Sequence, residues 1–521
     1  MQRRSVLRFA GASAALLGLP KLGWGRQAWS LDPFSLGVAS GSPTSDSIVL
    51  WTRLGTPALE AAGLTAKPVA VTWQLAHDAQ FSRLVASGEL QATAGLGHSV
   101  HAEVAGLEPA RTYFYRFMTG TAVSATGRTR TLAPPGADLK RLRLAYASCQ
   151  QWGAGFYSAY RHMLAENLDF VLFLGDYIYE YPASRPPEVR PTTGGWITTL
   201  EGYRSRYALH KSDPDLQAIH AACPWIVTWD DHEVQNDYAA THEGLSGTPV
   251  EDFMARRRAA YQSFYENMPV TRAGFDSLLL GQADQVRVYG SVAFGRLATL
   301  YTLDNRQHRD LQACSPNQRP GSARVDPTKC ESFNQPHRTL LGKAQERWLE
   351  QQFASARGQW NLLGQQTLFG RRNFSTTGAQ LLRNDGWDGY PAARRRLTDS
   401  MQQTRLKNPV ILGGDIHENW VGHVLSDYHN PDCEALGVEF CGTSITSLSS
   451  STPAQLTKQL EVNPHFIFAD AASRGYGVVE LTPTQLTTTL RAIKDAKDPK
   501  SDVFTLAKFA VEPGRAAVQP A

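Results

Sequence analysis

Three short runs, far apart in the chain, carry hard metal ligands directly after apolar stretches. They are Leu174-Gly175-Asp176-Tyr177-Ile178-Tyr179, Trp229-Asp230-Asp231-His232-Glu233 and Gly413-Gly414-Asp415-Ile416-His417. The apolar stretches at 170–174, 225–229 and 410–412 read as central strands of a layered sheet. Side chains at the carboxyl ends of such strands converge on one crevice. Three runs of this kind predict a centre that holds more than one metal ion.

Each run divides into roles. A carboxylate at Asp176 can bridge two cations, one oxygen to each. Tyr179 lies where the next turn returns its phenol to the same metal, and phenolate suits ferric iron better than zinc. As an isolated tyrosine it would read as packing on the sheet edge. In the second run one carboxylate serves a metal, and His232 faces substrate as proton donor or oxyanion partner. The competing reading makes Asp231 a helix N-cap. Asn236 and Asp237 could offer oxygens to a further cation. Asp415 and His417 alternate, so an extended backbone would point them the same way. Glu418 and Asn419 read as supports behind the ligands. Of Arg256, Arg257 and Arg258, one is expected to clamp an oxyanion and the other two to face solvent. Asp304 and Arg306 end another strand and read as supports, with Gln366 and Asn373 as weaker candidates.

The elements that must position these groups fall into two textures. From 33 to 132, short alternating runs with turn signals predict a small all-β domain, its clearest strands at 48–53, 69–75, 99–104 and 112–119. The run Leu107-Glu108-Pro109 before Tyr113 resembles the corner of a fibronectin type III or immunoglobulin-like sandwich. Ala133-Pro134-Pro135-Gly136 is a linker signal. From 137 to 495 strands alternate with amphipathic helices, as in a layered α/β domain. Helical spacing covers 156–166, 250–266 and 341–356; 287–294 and 297–303 read as adjacent strands. Residues 496–521 form a polar tail, save that 503–511 could add an edge strand or helix.

The chain has 521 residues, with 52 Lys and Arg against 48 Asp and Glu. So small an excess gives no argument for nucleic acid, and no basic block stands out. Arg3-Arg4-Ser5-Val6-Leu7-Arg8 and the apolar stretch behind it read as a twin-arginine signal over residues 1–30. The stretch is too short and too rich in Ala and Gly for a membrane span. The mature protein is then expected to be periplasmic or secreted, handed over by the twin-arginine translocase and monomeric. Six cysteines in an exported chain suggest disulfides. Cys314 with Cys330 and Cys433 with Cys441 each flank a short loop and read as staples. Cys223 reads as a buried small apolar residue. Cys149, ending the apolar run 142–148, is the cysteine to suspect of metal ligation.

These runs resemble the PhoD-type alkaline phosphatases, a branch of the calcineurin-like metallophosphoesterases, over nearly the whole chain. The superfamily places metals on Asp-x-His, Gly-Asp-x-x-Asp, Gly-Asn-His-Glu, a lone His and Gly-His-x-His. Here Cys149 stands at the first position, and Asp176 with Tyr179 fills the second. Asp230-Asp231-His232-Glu233 replaces the third, Asp415-Ile416-His417 replaces the last, and no clear lone-His motif is present. Imidazoles have become carboxylates, while a thiol and a phenol have been added. Oxygen-rich positions favour calcium and the thiolate–phenolate pocket favours ferric iron. The resemblance implies the same pair of metals. It assigns one iron to Cys149, Asp176, Tyr179 and His417, and calcium to Asp176, Asp231 and Asp415, with a second calcium near Asn236. The implied reaction is hydrolysis of phosphomonoesters and phosphodiesters by in-line attack of activated water. Arg258 neutralises equatorial oxygens and His232 serves the leaving group. Two other readings compete: a phospholipase D-like diesterase, and a cell-surface binding protein whose metals are structural.

Overall fold

The computed structural model describes residues 27–182, 188–282, 285–315, 319–430 and 432–521. The twin-arginine run and the apolar stretch behind it lie outside these residues. Among the described residues no helix is long and apolar enough to cross a membrane. The fold is mixed α/β, with two large sheets and smaller ones beside them.

The first large sheet has ten strands, and three parallel ones lie near its middle: Leu142–Ala147, Phe170–Phe173 and Trp225–Val227. The second has seven strands, with Ala298–Thr302, Trp360–Gly364, Pro409–Gly413 and Ala435–Cys441 running parallel in that order. Leu144, Phe170 and Leu172 of the first sheet share one apolar core with Leu300, Leu362, Val410 and Leu412 of the second. Both faces of these strands are covered, so their sequences are continuous apolar runs without alternation. That continuity is what makes them legible.

The helix Phe253–Asn267 begins where Asp252 accepts from the Ala255 backbone N–H, satisfying one orphan donor of its first turn. The stretch read from 156 to 166 is a shorter helix, Ser158–Met163, closed by a 3₁₀ turn over Leu164–Glu166. Gly290–Phe294 and Ala298–Thr302 form an antiparallel hairpin.

The N-terminal strands divide between sheets. Val38–Gly41, Ser47–Arg53 and Ser99–Ala105 extend the ten-stranded sheet, joined to it where Gly41 pairs with Trp225. Val69–Ala76, Leu84–Ala92 and Thr112–Thr119 belong to a separate five-stranded sheet. Ile48, Leu50, Val100, Val71, Tyr113 and Tyr115 share one core between them. The Tyr113 hydroxyl accepts from the Glu108 backbone N–H at 2.9 Å, closing the corner before its strand. At the far end, Val503–Val511 pairs along its length with Leu486–Ile493, so the segment beyond 495 contributes to the sheet.

The cysteine pairings differ from expectation in one case. Cys314 and Cys330 are bonded, across a separation of 16 residues. Cys433 and Cys441 are both free. The segment between them is not a loop but the strand Ala435–Cys441. An extended strand of that length holds its ends on the order of 20 Å apart. Cys223 is buried and free.

Candidate metal centre

The carboxyl ends of the parallel strands converge as the sequence pattern requires. Cys149 follows Leu142–Ala147, Asp176 follows Phe170–Phe173, and Asp230 and Asp231 follow Trp225–Val227. From the other sheet come Asp304 after Ala298–Thr302, Gln366 after Trp360–Gly364, and Asp415 with His417 after Pro409–Gly413.

Three groups of potential ligands form a connected row. Cys149, Asp176 and His417 bring ligand atoms within 4.8 Å of one another, as do Asp176, Asp231 and His232, and Asp231, Asp237 and Asp385. Asp176 belongs to the first two groups and Asp231 to the last two. Tyr179 joins the first: its hydroxyl donates to Asp176 Oδ2 at 3.0 Å and lies 3.4 Å from His417 Nε2 and 2.6 Å from Ser447 Oγ. Its ring is 4.2 Å from that of His232, centroid to centroid.

The backbone at these positions is unusual. Cys149, Asp176, Asp237, Asp415 and His417 all have φ between 58° and 63°. Left-handed backbone at a non-glycine residue costs about 1–3 kcal/mol and persists where surrounding structure imposes it. Glu233 imposes it at Asp176: its carboxylate accepts from the backbone N–H groups of Asp176, Tyr177 and Asp230 at 3.1, 2.6 and 2.9 Å. Gly175 beside them has φ 110°, and a Cβ there would meet the Asp230 backbone nitrogen at 2.5 Å. Only glycine allows the two strand ends to approach this closely.

The turn around 415–417 corrects an expectation. Asp415 and His417 do not alternate on extended backbone; both are left-handed, after a strand that ends at Gly413. They diverge accordingly. His417 enters the group with Cys149. The Asp415 carboxylate lies outside all three groups and accepts from Thr367 Oγ1 at 2.9 Å.

Electrostatics mark the row as a place for cations. Burial pushes the Asp176 carboxyl well up, His232 opposing and Asp231, Asp230 and Glu233 adding to it. Burial and Asp176 do the same to the Cys149 thiol. Asp176 Oδ1 and Asp231 Oδ1 are buried and have no hydrogen-bond partner. An uncompensated buried charge costs about 3–5 kcal/mol, so two unpartnered carboxylate oxygens on residues of one ligand group fit a bound cation. The donor set fits as well: thiol, phenol, carboxylate and imidazole in the first group, carboxylates alone in the third. His417 offers a neutral ring nitrogen to the first group. Burial lowers its pKa to about 4, and the Leu448 carbonyl lies 3.0 Å from Nδ1, which leaves Nε2 as the lone-pair nitrogen.

Glu180, which the sequence reading passed over, stands behind His232. Its Oε2 is 2.7 Å from His232 Nδ1, and its Oε1 accepts from the Asn236 backbone N–H at 2.8 Å. Burial opposes charge on His232, yet Glu180, Asp176 and Asp231 hold its pKa well above the usual imidazole range. The Asn236 side chain donates to Asp237 Oδ2 at 2.8 Å, and it is Asp237 that enters the third ligand group. Asp385, also passed over, completes that group from a turn whose Arg-Asn-Asp-Gly sequence carries only a loop signal.

The arginines differ most from expectation. Arg256 and Arg257 are buried, while Arg258 has a side chain 42 % exposed and pairs with Asp252 at 3.7 Å. The cations among the carboxylates come from elsewhere. Arg306 donates through Nε to Asp230 at 2.5 Å and lies 3.0 Å from Asp385 and 3.4 Å from Asp231. Asp304 Oδ1 accepts from the Arg306 backbone N–H at 3.0 Å and so fixes the turn that presents it. Arg383 faces Asp415, Asp237, Asp385 and Asp231. Gln366 is fully buried and donates to Thr228, Trp229 and Leu303, tying the ends of the two sheets together. Glu418 pairs with Arg372 at 2.8 Å, and Asn419 accepts from the Thr443 backbone N–H at 3.1 Å. Asn373 shapes its own loop, accepting from the backbone of Ser375 and Leu381.

The acidic crevice lies at the carboxyl ends of two parallel strand sets, where sheets of this kind bind their ligands. Comparison with known proteins shows the family. The family model for the PhoD-like phosphatase matches residues 144–490, and that for the PhoD-like phosphatase N-terminal domain matches 21–133. Alkaline phosphatase D of Bacillus subtilis (strain 168) is 42% identical over 483 residues, covering 92% of this chain and 80% of that protein. A solved structure of PhoD superposes with a TM-score of 0.88 at 41% identity, covering 95% of this chain and 93% of that one. The chain is a phosphoric ester hydrolase. It belongs to the PhoD-like phosphatase family. The reading as a binding protein with structural metals is set aside.

Proposed function

We propose that this protein is an exported, metal-dependent alkaline phosphatase that hydrolyses phosphomonoesters and phosphodiesters in the crevice described above. The observation that carries the metal dependence is the pair of buried, unpartnered oxygens, Asp176 Oδ1 and Asp231 Oδ1. Cys149, Asp176, Tyr179 and His417 would hold a ferric ion. Asp176 and Asp231 would hold calcium, with Asp415 beside them, and Asp231, Asp237 and Asp385 offer a place for a second calcium near Asn236. When bound, the cations supply Lewis-acid activation of water and charge neutralisation at phosphorus.

The chain's own residues do the rest. His232 Nε2 is free to give a proton to the departing alkoxide, because Nδ1 is held by Glu180. Arg306 and His232 hold the Asp231 carboxyl below its usual range, while burial outweighs Arg306 at Asp230 and pushes that carboxyl up; Arg383 adds positive charge beside Asp415. No serine or threonine is needed as nucleophile. Arg258, expected from sequence to neutralise phosphoryl oxygens, has its ion pair at the start of its own helix. The twin-arginine run supports passage through that translocase and a periplasmic or secreted destination. The two large sheets with a shared core support a layered metallophosphoesterase-type sandwich. The corner closed by Tyr113 supports a fibronectin III/immunoglobulin-like N-terminal domain acting as spacer.

The test is release of nitrophenol from the mono- and bis-nitrophenyl phosphates at alkaline pH, with added calcium and after chelation. Calcium-dependent turnover is expected for both esters. Unchanged turnover after complete metal removal would overturn the reading.

A further inference from the structure

Beside the metal centre lies a second cavity, of about 180 Å3, whose lining includes Arg324, Arg372, Arg383, Ser450 and Ile416. At roughly 30 Å3 per water it has room for about six waters, or for one tetrahedral oxyanion with part of its hydration. It is contiguous with the crevice through the chain itself. Ile416 stands between Asp415 and His417 in the left-handed turn, and Arg383, which lines the cavity, also interacts with the Asp415 carboxylate.

The cavity holds more positive charge than its own acid can offset. Glu418 also lines it, but that carboxylate is committed to Arg372 at 2.8 Å, Trp420 Nε1 at 2.8 Å and Ser449 Oγ at 2.9 Å. Arg372 is further fixed by Gln459 at 2.7 Å. Arg324 remains; Arg383 also lines the cavity, its charge shared with Asp415, Asp237, Asp385 and Asp231 of the metal centre. The Arg324 guanidinium stacks 4.3 Å from the Phe374 ring, and Arg372 stacks at the same distance on that ring. Two cations share one aromatic ring, and among the described residues no carboxylate pairs with Arg324. Guanidinium groups held by ring stacking keep their N–H edges free for a planar or tetrahedral oxyanion. Arg383 is oriented by its Nε donating to Ser322 Oγ at 2.7 Å.

We propose that this cavity is an anion subsite, and that the enzyme is built for phosphate esters whose organic moiety carries a second anionic group, phosphoryl or carboxylate, a few bonds from the scissile ester. The inference rests on the phosphatase reading and names the substrate class it leaves open. The second anion binds Arg324 and Arg383 in ground state and transition state alike, so its contribution is expected in KM more than in kcat.

Three esters on one carbon frame separate the possibilities: 3-hydroxypropyl phosphate, propane-1,3-diyl bisphosphate and 3-(phosphonooxy)propanoate. Their hydrolysis by the metal-loaded enzyme is followed as phosphate release. At least one of the two esters that carry a second anionic group is expected to exceed hydroxypropyl phosphate about tenfold in kcat/KM, through KM. Which of the two does so identifies phosphoryl or carboxylate as the preferred group. Arg324→Ala, at an exposed position where folding is not at stake, is expected to remove most of that preference, and Arg324→Lys to restore part of it. Arg515→Ala, which removes a charge from a different cavity, should leave the preference intact. Equal kcat/KM for all three esters, or a preference untouched by Arg324→Ala, would overturn the subsite while leaving the phosphatase intact. Failure to hydrolyse any of them, or nitrophenyl phosphate, would overturn the phosphatase reading and the subsite with it.

Discussion

Glu180 and His232 are joined at 2.7 Å, carboxylate oxygen to Nδ1, in a pocket where the Glu180 side chain is fully buried. The same carboxylate holds the Asn236 backbone through its other oxygen, so one residue fixes both ends of the 232–236 turn. Glu180→Gln keeps the shape but offers His232 a weaker and ambiguous partner. We expect kcat to fall about 10–100-fold, as for partners that orient a functional imidazole, with KM little changed. Steady-state kinetics on nitrophenyl phosphate, with metal content measured on the same sample, checks this. Unaltered kcat would remove His232 from proton transfer.

Asp176 is shared by two ligand groups, so its loss should be felt in both. Asp176→Asn is expected to reduce activity by on the order of 10³ and to lower bound iron and calcium together. Elemental analysis of the purified variant gives the answer. Loss of one metal with full retention of the other would show that Asp176 does not bridge.

Metal removal should also be a stability measurement. Without cations, Asp176, Asp230 and Asp231 crowd one buried region with Arg306 as their main counter-charge. Chelated protein is expected to melt several degrees lower than loaded protein, with recovery on adding calcium and iron. Identical melting curves would mean that the row holds no metal in the folded state.

Lys211 gives a pH prediction away from the metals. It is buried against the rings of Trp51 and Tyr177, at 4.2 and 5.2 Å, and burial, with Arg53 adding, lowers its pKa to about 7 from 10.5. A folded-state pKa below the unfolded one means that stability is full above about pH 10.5 and is lost as pH falls toward 7. Lys211→Met should therefore stabilise the protein at pH 7, by about 1–3 kcal/mol after loss of the ring contacts. The advantage should shrink toward pH 10. Urea unfolding at both pH values tests the sign; an advantage that grows with pH would refute it.

What the sequence revealed follows from where its signals lie. Asp176, Asp231 and His417 were legible because each comes just after a strand whose two buried faces leave an uninterrupted apolar run. Cys149 was legible by the same rule. Glu180, Asp385 and Arg383 were not, because they come from loops or a two-residue strand, Leu382–Arg383, and acquire a role only through tertiary contact. Arg258 was preferred over Arg256 and Arg257 with nothing in helical spacing to decide between them; burial took the other two. The Cys433–Cys441 pairing fails because the six residues 435–440 between the cysteines form a strand, while Ala435, Gly437 and Glu439 weaken its signal in the sequence. The left-handed turn at Asp415 and His417 leaves no mark in residue types that tolerate either conformation.

The single register pair between Gly41 and Trp225 has a bearing on how this molecule can be divided. It makes the first strands of the N-terminal region the lateral continuation of the catalytic sheet, and the seam is reinforced from above. Trp51 Nε1 donates to the Glu266 carbonyl at 3.0 Å, and Arg53 donates to the Asn267 side chain at 3.1 Å. Cutting the chain at the linker near residue 135 would uncover Trp225–Val227 as a raw, apolar sheet margin, open to any other strand that meets it. These first strands thus serve as a selvedge: the catalytic half is not a portable cassette, and a shortened version of it would be expected to precipitate before it could be assayed.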